Sequence, residues 1–102
     1  MDLPRGFDAV LHPPARLQIA AVLANVDTAE FAKLRELVGV SDSVLSKHLS
    51  ALTEAGHIIL RKVASDGRQR TWASLTRSGR TAFKAHVAAL QKIVEGAALA
   101  AE

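Results

Sequence analysis

The stretch ELVGVSDSVLSKHLSALTEAG, residues 36 to 56, leaves few ways to fold. Before it, Leu34 opens an apolar stripe that continues through Leu37 and Val38. The stripe stops at Gly39, the residue type that most readily supplies a left-handed helix end. Two residues later Ser41 stands where a hydroxyl caps a new helix, and Asp42 favours that helix's positive end. Along it Leu45, Leu49 and Leu52 recur at i, i+4 and i+7, with Val44, His48 and Ala55 beside them as the core face. Ser43, Ser46, Lys47 and Ser50 fall about opposite, and Gly56 ends the run.

Helix, tight glycine turn and capped helix in succession is the helix-turn-helix order. The flanks complete a small domain. Pro13 and Pro14 sit where proline is tolerated, at the start of a helix over about 13–24 carrying Leu17, Ala20, Ala21 and Leu23. Ahead of it Phe7, Val10 and Leu11 form a short apolar helical turn, suited to packing on a neighbouring subunit. Asn25 to Thr28 break the helix, and Glu30 with Phe31 read as a stub of strand. After Gly56, IILRKVASDGRQRTWASL reads as two strands turned at Ser65-Asp66-Gly67, with a basic tip. A long helix starts at Thr76, with Phe83, Val87, Leu90, Val94 and Ala97 in a near-heptad stripe. The expectation is one α+β domain over 1–102, mainly helical with a small β-hairpin.

A chain of 102 residues closes only one modest core. Hydrophobic residues make up 49% of it but aromatic ones only 4%, so the core is thinly filled and burial shared with a partner subunit is expected. The net charge is only +3. Yet Arg61, Lys62, Arg68, Arg70, Arg77, Arg80 and Lys84 fall in one short stretch, which points to a polyanion. Without cysteine there is no disulfide, thiolate nucleophile or cysteine metal site. The first ten residues lack the apolar core of a signal peptide, and no apolar run approaches the ~18 residues of a membrane span, so a soluble cytoplasmic protein is expected. No Gly-rich phosphate loop, nucleophile elbow or paired-carboxylate motif occurs, and Asp42, Glu54 and Asp66 have capping, surface and turn roles. No enzymatic activity is expected. His48 reads as a packing or hydrogen-bonding residue. His12, His57 and His86 lie far apart in sequence with no carboxylate at a ligand spacing, so neither metal nor cofactor is expected. Trp72 suits packing on the hairpin or a partner subunit, with stacking on a base the lesser alternative.

The polar face of the third helix has a chemical reading. A major groove admits one α-helix whose exposed side is slim and polar, and Ser43, Ser46 and Ser50 around Lys47, with Ser41 at the helix start, meet that demand. Arg68 and Arg70 at the hairpin tip suit phosphate oxygens or a narrow, electronegative minor groove. Taken singly these are a solvated helix face and edge-protecting charges; taken together they favour DNA. Arg61 and Lys62 point to opposite sides of their strand, so only one of them faces the nucleic acid.

The order L-x-x-L-x-G-x-S-x-x-x-L-S-x-H-L-x-x-L-x-x-x-G resembles the winged helix-turn-helix regulators of the MarR and ArsR type. HPPARLQIAAVL resembles their opening helix, and GRQRTWASLTRSGR their wing and its exit. The resemblance implies a recognition helix over about 42–55, a wing over about 64–70 and a dimerisation helix over about 76–98. It implies a homodimeric, sequence-specific regulator of transcription, with a repressor as the leading reading and an imperfect palindromic operator in double-stranded DNA as its partner. Phe7, Leu11, Phe83, Val87, Leu90 and Val94 would form the dimer interface. An unidentified small-molecule effector is compatible with the resemblance, whereas metal sensing is not carried over without cysteines. Two other classes stay open: a winged helix that binds only protein, and an architectural DNA binder of low specificity.

Overall fold

The computed structural model describes the backbone of residues 2–101 and side chains through residue 97; Met1 and Glu102, the ends of the expected domain, lie outside the described residues. The element order is α1 (Pro14–Ala24), β1 (Ala29–Glu30), α2 (Phe31–Val38), α3 (Asp42–Glu54), β2 (Ile58–Ser65), β3 (Arg68–Leu75) and α4 (Arg77–Ala101). The hairpin is part of a three-stranded antiparallel sheet of order β1-β3-β2, because Ala29 and Glu30 pair with Ala73 and Trp72. Phe31, expected in the strand stub, instead starts α2.

The helix ends follow local chemistry. Pro14 occupies the first turn of α1, where no N–H is needed. Gly39 caps α2 at φ 73°, and its N–H donates to the Arg35 carbonyl. At the hairpin tip Asp66 and Gly67 have φ of 51° and 75°. Positive values at both central residues are what a two-residue type I′ turn requires, and its twist matches that of the strands. From this turn the ladder runs outward through Ser65↔Arg68 to Ile58↔Leu75.

One core gathers Leu11, Ile19, Leu23, Leu34, Leu45, Leu49, Leu52, Ile58 and Ala73, with Phe31, Val38, Leu75 and Phe83 packed against it. Each fully buried leucine or isoleucine contributes roughly 1.5–3 kcal/mol. Three expectations change. Leu37 is 51% exposed and Val44 40% exposed. Ala55, the C-cap of α3, is exposed as well. In α2 the positions turned inward are Phe31, Leu34 and Val38, and in α3 the line Leu45, Leu49, Leu52 already fills the contact, which leaves Val44 at its margin.

The helices, the sheet and the N-terminal segment meet at Gly56 and His57. Thr76 donates its N–H to the His57 carbonyl (3.0 Å) and its hydroxyl to the Gly56 carbonyl (2.6 Å), while accepting from the Gly79 N–H (2.8 Å) as the cap of α4. A Cβ built on Gly79 would lie 2.0 Å from the His57 carbonyl oxygen, so α4 approaches this corner more closely than any side chain permits. From the other side Asp8 contacts His57 Nε2 (2.9 Å), donates its N–H to His86 Nδ1 (2.9 Å) and accepts from the Val10 N–H (2.9 Å). His57 and His86, read as unrelated in sequence, are thus both tied to Asp8, one through its carboxylate and the other through its backbone N–H, and the His12 ring lies 5.6 Å from that of His86. Among the described residues, however, no group of three or more His, Asp or Glu side chains is arranged to hold a metal ion.

His86 is fully buried. Burial first and His12 second hold its pKa below the ordinary imidazole value, against an upward pull from Asp8. Its Nδ1 must stay unprotonated to accept from Asp8. The unfolded chain therefore takes up protons before the native one as pH falls through about 6.5, and stability contributed by this contact is complete above that pH and declines below it. His48 shifts in the same direction, through burial and then Arg16. The urea midpoint should accordingly fall between pH 7.5 and 5.5, and fall less in His86→Gln; a flat or rising wild-type midpoint would contradict this linkage. Gly79→Ala should cost about 2–3 kcal/mol or more through overpacking. Gly96→Ala, on the same helix with nothing within 4 Å, should gain about 0.5–1 kcal/mol, and thermal denaturation of the pair reads both.

Candidate nucleic-acid interface

The α3 helix is anchored at its start. The Val44 N–H donates to Ser41 Oγ (3.3 Å), and Arg35 near the end of α2 donates to Asp42 (2.7 Å). That hydrogen bond and the Asp42 charge raise the Arg35 pKa above its usual value. The inner side of α3 is sealed, with Leu45 and Leu52 at 0% and Leu49 at 2% exposure. The outer side is open: Ser43, Ser46, Lys47 and Ser50 are all exposed, with Val44 at their edge. The structure thus brings these four candidates to one uncovered helix face. Ser41 lies beside them, its oxygen engaged in the cap and 3.3 Å from Ser43 Oγ.

The hairpin arginines differ. Arg68 is exposed and in no ion pair among the described residues. Arg70 instead points across the sheet to Glu30, with Nη1 3.1 and 3.2 Å from the two carboxylate oxygens. This contact joins β3 to β1 and leaves Arg70 half-buried, so its charge is already partnered in the free protein.

Residues directly opposite in an antiparallel ladder share a face. Arg61 pairs with Trp72 and Lys62 with Thr71. Trp72 and Arg61 belong to the face turned away from the core, where they line a hollow of about 530 Å³ with Asp27, Thr28, Val63 and Ser74. Lys62 and Thr71 belong to the other face. They line a cleft of about 320 Å³ with Phe31, Leu60, and Ser46 and Ser50 of α3. Of the two neighbouring cations, Lys62 is therefore the one beside α3. Alternation in the sequence leaves open which of the two stands on that side; the register with Thr71 and the place of both beside Ser46 and Ser50 decide it, and Thr71, Leu60 and Phe31 carry no signal individually.

The other candidate surface lies on α4. Its 25 residues span about 37 Å in a molecule measuring 60 × 26 × 21 Å, so its distal half stands clear of the core. Val94 is 68% exposed, Val87 and Leu90 are half-buried, and Phe83 packs against the protomer's own core. Leu11 is a correction: it is 0% exposed in the core and has no surface to offer a partner. Phe7 is half-buried, its ring 5.0 Å from those of both His12 and His86. No described helix is long and apolar enough to cross a membrane.

Comparison with known proteins agrees with this geometry. Residues 15–94 match the family model described as a winged helix DNA-binding domain. An uncharacterized protein of Methanocaldococcus jannaschii is 32% identical over 78 residues, covering 76% of this chain and 85% of that one. The structure is similar to a transcriptional regulator homologue from Pyrococcus horikoshii, with TM-score 0.79, 26% identity, and coverage of 85% of this chain and 86% of that one. It is also similar to the putative transcriptional regulator ytfH of Salmonella typhimurium, with TM-score 0.69, 26% identity, and coverage of 84% and 75%. A capped helix with an open polar face, a three-stranded sheet ending in a basic turn, and a family match over most of the chain converge: the protein belongs to the winged helix DNA-binding family.

Proposed function

We propose that the protein is a homodimeric, sequence-specific repressor that places α3 in the major groove of an imperfect palindromic operator. The observation that carries this reading is the uncovered face of Ser43, Ser46, Lys47 and Ser50, backed by a leucine line that holds the helix against the core. Short hydroxyls let the helix lie deep, and Lys47 is the one long donor on that face. The hairpin serves as the wing, with Arg68 reaching the backbone or a minor groove. Arg70 remains a brace to Glu30 and contributes less than Arg68.

Two copies pair through α4. Val94 and the half-buried Val87 and Leu90 supply an apolar ridge on a segment the domain leaves uncovered, and such ridges mark interfaces. Two-fold symmetry sets two α3 helices at half-sites about one helical turn, ~34 Å, apart, and occupancy of a promoter by such a dimer blocks its use.

Genome-wide mapping of bound sites, followed by anisotropy titrations on the recovered duplex, tests the proposal. Lys47→Ala should lose about 1–3 kcal/mol on the operator and less on random duplex; equal affinities for both duplexes in wild type and variant would remove the assignment of α3. Arg68→Ala should lower the slope of log K against log salt by ~0.9, and Arg70→Ala by less. Val94→Glu changes a side chain that its own protomer barely covers. It should shift the protein from dimer to monomer at micromolar concentration in sedimentation velocity while leaving the far-ultraviolet circular dichroism unchanged, and a variant that still dimerises would rule out pairing through α4.

A further inference from the structure

We infer that the cleft between α3 and the sheet is a seat for one DNA backbone phosphate, held by Lys62 with the hydroxyls of Ser50 and Thr71. The inference rests on the reading of α3 as the groove-facing helix and names a contact that reading does not contain.

The ladder register carries the first part of the argument. Successive residues of a strand face opposite sides, so Arg61 is committed to the Trp72 side and Lys62 to the side of α3. The cleft carries the second part. Ser46 and Ser50, four residues apart, share one helix face, and both line the cleft with Lys62 and Thr71. Among the described residues, none of these four side chains is in a hydrogen bond or ion pair within the protein. The hydroxyls of Thr28, Thr53, Thr76 and Thr81 each donate to a carbonyl of the same chain. The cleft thus holds one ammonium and three uncommitted hydroxyls above an apolar wall formed by Phe31 and Leu60.

That donor set matches a tetrahedral anion. A lysine is a point charge with three donors and no fixed fork, and it binds phosphate without imposing the planar geometry of a guanidinium. Hydroxyls of Ser and Thr are regular partners of phosphate oxygens, whose contacts set the register of a protein on its duplex. Neither tip arginine lines the cleft, and Arg70 is already occupied by Glu30. Seating a phosphate here fixes how deep and at what rotation α3 enters the groove, so Lys62 is a positioning residue for the base contacts of Lys47.

The test uses the full-length protein, the operator duplex and a random duplex. Lys62→Ala should weaken both about tenfold at low salt and lower the salt slope by ~0.9. Arg61→Ala, the same charge change on the opposite face, should leave the slope unchanged, and Lys62→Arg should recover part of the loss. Single methylphosphonate substitutions along the operator then locate the seat. At one position per half-site the loss seen with wild type should vanish in Lys62→Ala, because the two changes remove the same contact. Inorganic phosphate at constant ionic strength should compete no better than sulfate, which separates a backbone seat from a site for free phosphate; specific competition by phosphate would overturn the proposal. So would losses that add at every position, or equal slopes for Lys62→Ala and wild type. A wild type that binds neither duplex would instead sink the functional reading itself.

Discussion

The contact between Gly79 and the carbonyl of His57 is the constraint around which the rest is arranged. At that point α3 has just ended, β2 is about to begin and the first turn of α4 passes by, so three elements share a space that admits no Cβ. Thr76 turns this crowding into order by satisfying the Gly56 and His57 carbonyls at the moment it caps α4. Asp8 then ties the N-terminal segment to His57 from the far side and to His86 on α4. The placement of α3, the helix proposed to enter the groove, relative to α4, the helix proposed to carry the dimer, is thus braced at this corner through backbone carbonyls rather than through long, adaptable side chains.

Much of this was legible in the sequence because it is local. Gly39 after an apolar stripe and Ser41 before a leucine line specify their geometry within a few residues, and the structure places both as read; the turn read at Ser65-Asp66-Gly67 is found one residue tighter, with Ser65 paired to Arg68 at the end of β2 and only Asp66 and Gly67 in the turn. The family match over residues 15–94 bears out the resemblance drawn from the middle segment. What was not legible depends on pairings distant in the chain. Nothing near Arg70 announces that Glu30 lies across the sheet, 40 residues earlier. Nor does spacing reveal that Asp8 meets His57, or that Leu11 turns into the core rather than outward. Periodicity identifies an apolar side chain as one to be covered, but not whether its own chain or a neighbour covers it; Val94 and Leu11 look alike in sequence and end at opposite extremes of exposure.

The two basic strands illustrate how alternation sorts charge. Neighbouring Arg61 and Lys62 contribute equally to the net charge and to the long-range field, yet one stands with Trp72 on the outer face and the other beside the serines of α3. A count of basic residues thus predicts attraction to a polyanion but not its docking, which depends on which cations remain free of internal partners and share a side with the helix.

Trp72 gives the fold an optical property. It is the single tryptophan in a chain without tyrosine, so ultraviolet emission excited at long wavelength arises from one indole. That indole sits half-buried on the sheet face turned from α3, next to the seam where Glu30 and Arg70 join β1 to β3. On the proposed docking, a duplex along α3 would face the opposite side of the sheet from Trp72. Changes in its emission colour therefore report the solvation of the β1–β3 seam, and the protein carries its own label for following that seam without any dye.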